Sequence, residues 1–320
     1  MKYSLGIDIG GTNIAAGVVD ENYNIVCQSK VKTNSDRKYT SVLEDIAAVG
    51  KNAVDKAGLS LNDMQWAGLG CPGTCNPETG IVEYANNLRW TNVPLKSYVE
   101  QALGIPAYIE NDANAAALGE LFAGAAKGAK NAIIITIGTG LGAGIIIDGK
   151  LFSGSNYAGA EIGHTVINVD GEQCTCGRKG CFEAYSSVTA LVKFTKRFME
   201  QYPDTLMKDI AEKEGKVSGR TAFVAAKQGD EAGTKVVELF IKNLACGIIN
   251  TINVFQPDIL CIGGGVSNEG ENLLIPLREY INNEIYSKNS KKNTEIVTCK
   301  LGNGAGLIGA ALLGNQYNNV

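Results

Sequence analysis

Histidine is nearly absent from this chain of 320 residues: His164 is the only one. Also missing is any apolar run of the ~18 residues that a membrane span needs, and the opening Met1-Lys2-Tyr3-Ser4-Leu5-Gly6-Ile7-Asp8 has neither the apolar core nor the cleavage site of a signal peptide. The expectation is a cytoplasmic enzyme or binding protein with no membrane partner. Lys and Arg are dispersed and the formal net charge is −4, so there is no basic stripe to neutralise a phosphate backbone, and nucleic acid is not an expected partner. No Gly-Lys-Ser/Thr follows a glycine turn, which excludes a Walker loop, and no Cys-x-x-Cys redox pair occurs. Nine cysteines, an odd count without an export signal, exclude a full disulfide framework. Most of Cys27, Cys71, Cys75, Cys246, Cys261 and Cys299 are expected to be single buried thiols.

What the chain has is glycine, 39 of them, clustered at Gly10-Gly11, Gly138 to Gly144, Gly263-Gly264-Gly265 and Gly302 to Gly309. Each cluster adjoins an Ile-, Val- or Leu-rich run, so each reads as a loop at a strand end. The length permits sizeable cores and favours two domains over one. An internal repeat agrees: at an offset of 128, Ile7-Asp8-Ile9-Gly10-Gly11-Thr12 aligns with Ile135-Thr136-Ile137-Gly138-Thr139-Gly140, and Val18-Val19-Asp20 with Ile146-Ile147-Asp148. Both copies predict a buried strand, a tight Gly/Thr turn and a second strand. Two glycine hairpins can resemble each other by chance. Two related domains would each supply a turn whose N–H groups hold one anion, with Thr12, Asn13 and Thr139 as short donors. Neither turn holds a lysine, so a bound triphosphate would need Mg²⁺, for which Asp8 is the nearest ligand.

Val236, Val237, Phe240, Ile241, Leu244, Ile248, Ile249 and Ile252 recur at helical spacing between Glu231 and Phe255, and Ile259 to Ile262 reads as a buried strand. Gly263-Gly264-Gly265 at its end suits either a flat ring such as adenine against bare backbone or a simple tight crossover. Upstream, Gly104 to Ile109 reads as a loop and strand, and Glu110-Asn111-Asp112 precedes an Ala-rich helix predicted over Ala113 to Ala126. Asp112 can be only an N-cap. It can also be the carboxylate that takes a proton from an attacking hydroxyl, since the C-terminal end of a strand faces the ligand crevice in α/β proteins. Gly70-Cys71-Pro72-Gly73-Thr74 and Tyr84-Ala85-Asn86-Asn87-Leu88 are polar loops whose paired amides either orient hydroxyls or bend the chain.

The single histidine stands before Cys174, Cys176 and Cys181. Three thiolates and one imidazole complete a closed tetrahedral zinc site with no position left for catalytic water, although the spacing is not that of a common finger. Glu161 and Glu183 bracket this cluster, either as solvated acids or as carboxylates fixed by a metal-braced knot.

With these residues in place, the sequence resembles the bacterial sugar kinases of the ROK (repressor, open reading frame, kinase) family, in the actin-like, hexokinase-like ATPase superfamily, from Leu5 to Gly309. The most specific part is Gly163-His164, a spacer, and Cys174-x-Cys176-Gly-x-x-Gly-Cys181-x-Glu183. Asp8-Ile9-Gly10-Gly11-Thr12 resembles the family's first phosphate motif, Gly138-Thr139-Gly140-Leu141-Gly142 its second, and Gly263-Gly264-Gly265 its adenosine motif. The resemblance implies an α/β fold of two actin-like (ribonuclease H-like) domains with an inter-domain cleft. The first would span residues 1–111 plus about 303–320, and the second 112–302 with the zinc motif, dimerisation and nucleotide-binding elements.

It further implies ATP as donor, with Mg²⁺ and a structural Zn²⁺, and a homodimer. Asp112 would be the catalytic base toward a sugar 6-hydroxyl. Gly73, Asn86, Asn87, Asn111, Glu161, His164 and Glu183 would contact the sugar, His164 serving zinc with one ring nitrogen and sugar with the other. Ala85 to Trp90 with Pro94-Leu95, and Glu110 to Ala116, look most like glucokinases. N-acylmannosamine and N-acetylglucosamine kinases share the zinc motif and base, and fructokinases are more distant. ROK repressors share the core without necessarily phosphorylating sugar. They add an N-terminal winged helix, for which a first strand beginning by Tyr3 is expected to leave no room. A polyphosphate donor would want a basic groove that the sequence lacks.

Overall fold

Lys2–Tyr317 are described by the computed structural model. The chain runs β1 (Tyr3–Ile9), β2 (Asn13–Asp20), β3 (Ile25–Lys32), α1 (Tyr39–Lys56), β4 (Met64–Cys71), β5 (Thr74–Asn76), β6 (Ile81–Ala85), β7 (Trp90–Val93), α2 (Leu95–Leu103), β8 (Ala107–Asn111) and α3 (Asp112–Ala123). It continues through β9 (Ala132–Ile137), β10 (Leu141–Ile147), β11 (Lys150–Leu151), α4 (Glu183–Ser186), α5 (Val188–Gln201), α6 (Leu206–Lys213), α7 (Thr221–Lys227) and α8 (Glu231–Phe255). It ends with β12 (Ile259–Gly263), α9 (Glu271–Glu284), β13 (Glu295–Thr298), α10 (Ala305–Ala311) and α11 (Leu313–Tyr317).

The repeat read in the sequence is a repeat of sheets. One sheet has the order β3-β2-β1-β4-β8 and the other β11-β10-β9-β12-β13. In the first, β2 is antiparallel to β1 and β3, while β1, β4 and β8 are parallel. In the second, β10 and β11 are antiparallel and β12 and β13 parallel. Strand β10 begins at Leu141, 128 residues after Asn13 opens β2 (141 − 13 = 128). A small antiparallel sheet, β5-β6-β7, lies between β4 and α2 in sequence.

Packing divides the chain into two compact units. One holds residues up to Ile134, Gly144–Ala160 and those from Cys299 onward; the other holds Ile135–Ala143 and Glu161–Thr298. In the first unit Leu5 and Ile7 are fully buried beneath α1, where Gly50 lies against both. The opposite side of β1 and β4 is covered by α10, at positions where only glycine fits. A Cβ at Gly6 would collide with the Leu307 carbonyl, and one at Gly68 with that of Ala310. Gly306 and Gly309 of the late cluster therefore lie inside a helix and not in a strand-end loop, as the sequence had suggested. Helix α3, placed by the sequence at the start of the second domain, lies in the first unit. Gly309 of α10 packs directly on the Ala115 carbonyl, and Gly119 of α3 on that of Ala305.

In the second unit α8 spans Glu231–Phe255 as its periodicity predicts, capped by Asp230, whose side chain accepts from Gly233 N–H. Val236, Phe240, Ile241, Leu244, Ile248, Ile249 and Ile252 are buried on it, while Val237 is half-buried. Phe182 packs flat on Gly247 and ties the segment after the cysteine cluster to this helix. Of the six outlying cysteines, Cys71, Cys75 and Cys261 are buried, Cys27 and Cys299 half-buried, and Cys246 exposed. The expectation of burial thus holds for three; Cys246 lies on the outer face of α8.

Candidate active site

In the first unit, Asp112 opens α3, directly after β8. The N-cap is Asn111: its Oδ1 accepts from Ala113 N–H at 2.9 Å and Asn114 N–H at 3.2 Å. The cap reading of Asp112 therefore gives way. Asp112 is the first helical residue, its Oδ1 within 2.9 Å of Ala113 N. Asn111 Nδ2 donates to the Gly73 carbonyl at 3.1 Å, joining the β4–β5 loop to the start of α3. Gly73 has φ +94° and a Cβ there would strike the Tyr84 carbonyl, so this loop needs glycine. Asn86 and Asn87, both exposed, form a 3-10 turn with the buried Leu88, and Tyr84 Oη donates to Asn86 Oδ1 at 3.2 Å. Asn87 Cβ lies 3.4 Å from where a Gly11 Cβ would stand, so the two expected loops are neighbours.

Asp8 lies near the end of β1. Burial, and then the negative charge of Asp112, push its carboxyl up to about 6. The Gly10–Asn13 loop is closed by Gly10 N–H donating to Asn13 O at 2.9 Å. The loop is held from outside by Thr33, whose hydroxyl donates to Gly10 O at 2.6 Å and whose N–H donates to Thr12 O at 3.0 Å. Beneath Asp112, Glu110 is fully buried; its carboxylate accepts from Asn111 N–H, Asn114 Nδ2, Ser153 Oγ and, at 2.6 Å, Tyr317 Oη. Burial and the Glu110 charge hold the Tyr317 phenol well above its ordinary range.

In the second unit the turn at Gly138, Thr139 and Gly140 is closed by Gly138 N–H to Gly140 O at 2.9 Å. Thr189 Oγ1 donates to Thr139 O at 2.7 Å, and Val188 N–H to Gly138 O at 2.9 Å. Gly264, with φ +86°, packs so closely on the Ile137 carbonyl that no Cβ could fit. The triple glycine is thus adjacent to the turn; Gly263 ends β12 and the face above Gly265 is open.

Ligand atoms of His164, Cys174, Cys176 and Cys181 all lie within 4.8 Å of one another. Cys174 Sγ is 3.7 Å from His164 Nδ1, and Cys176 Sγ is 3.6 Å from Cys181 Sγ. Tetrahedral zinc with ordinary bond lengths would set such edges at about 3.5–3.8 Å, which these two pairs match, and three thiols with one imidazole are the donor chemistry it takes. Burial and the neighbouring thiols push Cys181 up to about 12, a cost that a bound cation removes.

Of the bracketing acids, Glu161 is raised by partial burial of its carboxyl and by the Glu183 charge, against the opposing effect of His164. Glu183 is engaged: Oε2 accepts from Leu141 N–H at 2.8 Å, and Oε1 lies 3.4 Å from Thr175 Oγ1. A Cβ at Gly140 would run into this carboxylate.

Each expected residue therefore falls in one of two clusters. Asp8, Gly10, Gly11, Thr12, Asn13, Gly73, Asn86, Asn87, Asn111 and Asp112 belong to the first unit. Gly138, Thr139, Gly140, Glu161, His164, Glu183, Gly263, Gly264, Gly265 and the cysteines belong to the second. Sequence reasoning missed Thr33, Thr189, Glu110 and Tyr317. The two threonines stand outside any motif. Glu110 sits beside Asn111 and Asp112, and its partner Tyr317 is 207 residues away.

The ROK family model matches residues 4–317. Glucokinase of Streptomyces coelicolor is 37% identical over 319 residues, covering 99% of this chain and 98% of that one. Glucokinase of Thermotoga maritima is 35% identical over 309 residues, covering 96% and 95%. A ROK family glucokinase from Streptomyces griseus, solved in complex with glucose and AMPPNP, superimposes with a TM-score of 0.83 at 36% identity, covering 98% and 99%. With its glycine turns, its His-Cys cluster and a match along almost its whole length, the chain belongs to the ROK family.

Proposed function

We propose that this protein transfers the γ-phosphoryl group of ATP to the 6-hydroxyl of glucose in the cytoplasm. The observation that carries the reading is similarity along nearly the full chain to glucokinases, one of them solved with glucose and AMPPNP. The local geometry supports it. Asn111 takes the N-cap and Asp112 follows it as the first helical residue at the C-terminal end of β8, from where its carboxylate takes the hydroxyl proton as the oxygen attacks. Asn111, Gly73, Asn86 and Asn87 orient sugar hydroxyls in the first unit; Glu161, His164 Nε2 and Glu183 do so in the second. The loops at Gly10–Asn13 and Gly138–Gly140 take phosphate oxygens, and Gly263–Gly265 the adenosine.

Asp8 suits a magnesium site, because a cation there offsets the crowding of two carboxylates. Bound Mg²⁺ neutralises phosphate charge. Zinc at His164, Cys174, Cys176 and Cys181 cross-links the knot that carries Glu161 and Glu183. A homodimer is proposed from the family resemblance. A coupled ADP-release assay over glucose, N-acetylmannosamine, N-acetylglucosamine, mannose and fructose tests the reading. Glucose is expected to give the highest kcat/KM; preference for an N-acetyl sugar would reassign the substrate, and turnover with none would make the protein a sugar sensor.

A further inference from the structure

A peptide plane carries its C=O and N–H on opposite sides when the bond is trans, and the described residues contain no cis peptide. Holding a carbonyl therefore aims the next residue's N–H the other way. In the second-unit turn, Val188 N–H holds Gly138 O at 2.9 Å, and Thr189 Oγ1 holds Thr139 O at 2.7 Å. These bonds direct the N–H groups of Thr139 and Gly140 away from the start of α5. Gly138 N–H is already used by Gly140 O and Leu141 N–H by the Glu183 carboxylate. The outward pair, Thr139 and Gly140, donates to no acceptor among the described residues. Two adjacent N–H groups aimed to one side form an anion-binding concavity.

The first-unit loop uses the same device: the hydroxyl of the buried Thr33 holds Gly10 O at 2.6 Å, which aims Gly11 N–H outward. The supporting threonine comes from the end of β3 in one case and the start of α5 in the other. The braces are thus similar in chemistry without being copies at the 128-residue offset.

We propose that Thr189 and Thr33 are positioning residues for the nucleotide's phosphates, each fixing the peptide orientation of one phosphate turn through a hydroxyl-to-carbonyl bond. The inference rests on the assignment of these turns to ATP. Thr189 is exposed, so Thr189→Val removes the hydroxyl with little change in packing.

Steady-state kinetics with Mg·ATP and glucose varied separately, together with calorimetric titration of AMPPNP, test it on the full chain. For Thr189→Val the KM for ATP and the AMPPNP Kd should each rise roughly threefold to tenfold, the scale of one lost hydrogen bond. The KM for glucose and the melting temperature should stay at wild-type values, and Thr189→Ser should restore nucleotide affinity. Thr33→Val, whose hydroxyl is buried, should show the same split at some loss of stability. An unchanged KM for ATP in Thr189→Val, or an equal rise in the KM for glucose, overturns the proposal. Absence of nucleotide binding by the wild type would instead remove the functional assignment beneath it.

Discussion

Replacing Asp8 by Asn should make the ligand-free protein more stable at neutral and alkaline pH. Asp8 is held near pH 6 against an ordinary 3.8, first by burial and second by the Asp112 charge. The folded state binds this proton more tightly than the unfolded chain, so the group's contribution to stability is complete below about pH 4 and is lost as pH rises through about 6. At ~1.36 kcal/mol per pH unit the loss amounts to about 2–3 kcal/mol. Asn carries no charge and escapes that loss. Thermal unfolding of both proteins from pH 4 to 8.5 should therefore show nearly equal melting near pH 4 and a divergence between about pH 4 and 6. Above pH 7, Asp8→Asn should melt roughly 4–12 °C higher, by the scaling for a unit of this size. Adding Mg²⁺ with AMPPNP should narrow the gap, because a cation beside the carboxylate restores what burial costs the wild type. Asp112→Asn should close part of the gap by lowering the Asp8 pKa. A pH-independent difference, or a less stable Asp8→Asn above pH 7, would refute the reasoning.

Other outcomes follow from the two clusters. Wild-type protein should carry close to one zinc per chain by elemental analysis, and Cys176→Ser should lose it, melt lower and lose turnover; a wild type without zinc contradicts the metal assignment. Asn111→Ala removes two cap bonds and the bond to Gly73, so stability should fall by about 0.5–2 kcal/mol in denaturant titration. Because Asp112 is displaced, kcat should fall by at least roughly tenfold, and an unchanged kcat would separate the cap from catalysis.

Much of this was legible in the sequence because the responsible signals are local. The hairpin at Gly10 and its copy at Gly138, the periodicity of α8 and the compact His-Cys cluster each need only a few neighbouring residues to be read. The cap of α3 was less legible: Asn111 and Asp112 both suit it, and only the folded backbone shows that Asn111 takes it. The C-terminal glycines misled for a similar reason, since a helix lined with Gly306 and Gly309 looks like a loop until Ala115 and Asp8 are seen pressed against it. Thr33, Thr189 and the Glu110–Tyr317 pair act across 23, 50 and 207 residues of chain, and no spacing rule announces them.

The central claim is that Asp112 accepts the proton of the glucose 6-hydroxyl during phosphoryl transfer. Its direct test is Asp112→Asn, assayed for glucose binding by calorimetry and for glucose 6-phosphate formation by a coupled assay. Binding should stay within a few-fold of wild type while kcat falls by more than ~10²-fold. Turnover retained at wild-type levels would show that Asp112 only starts a helix.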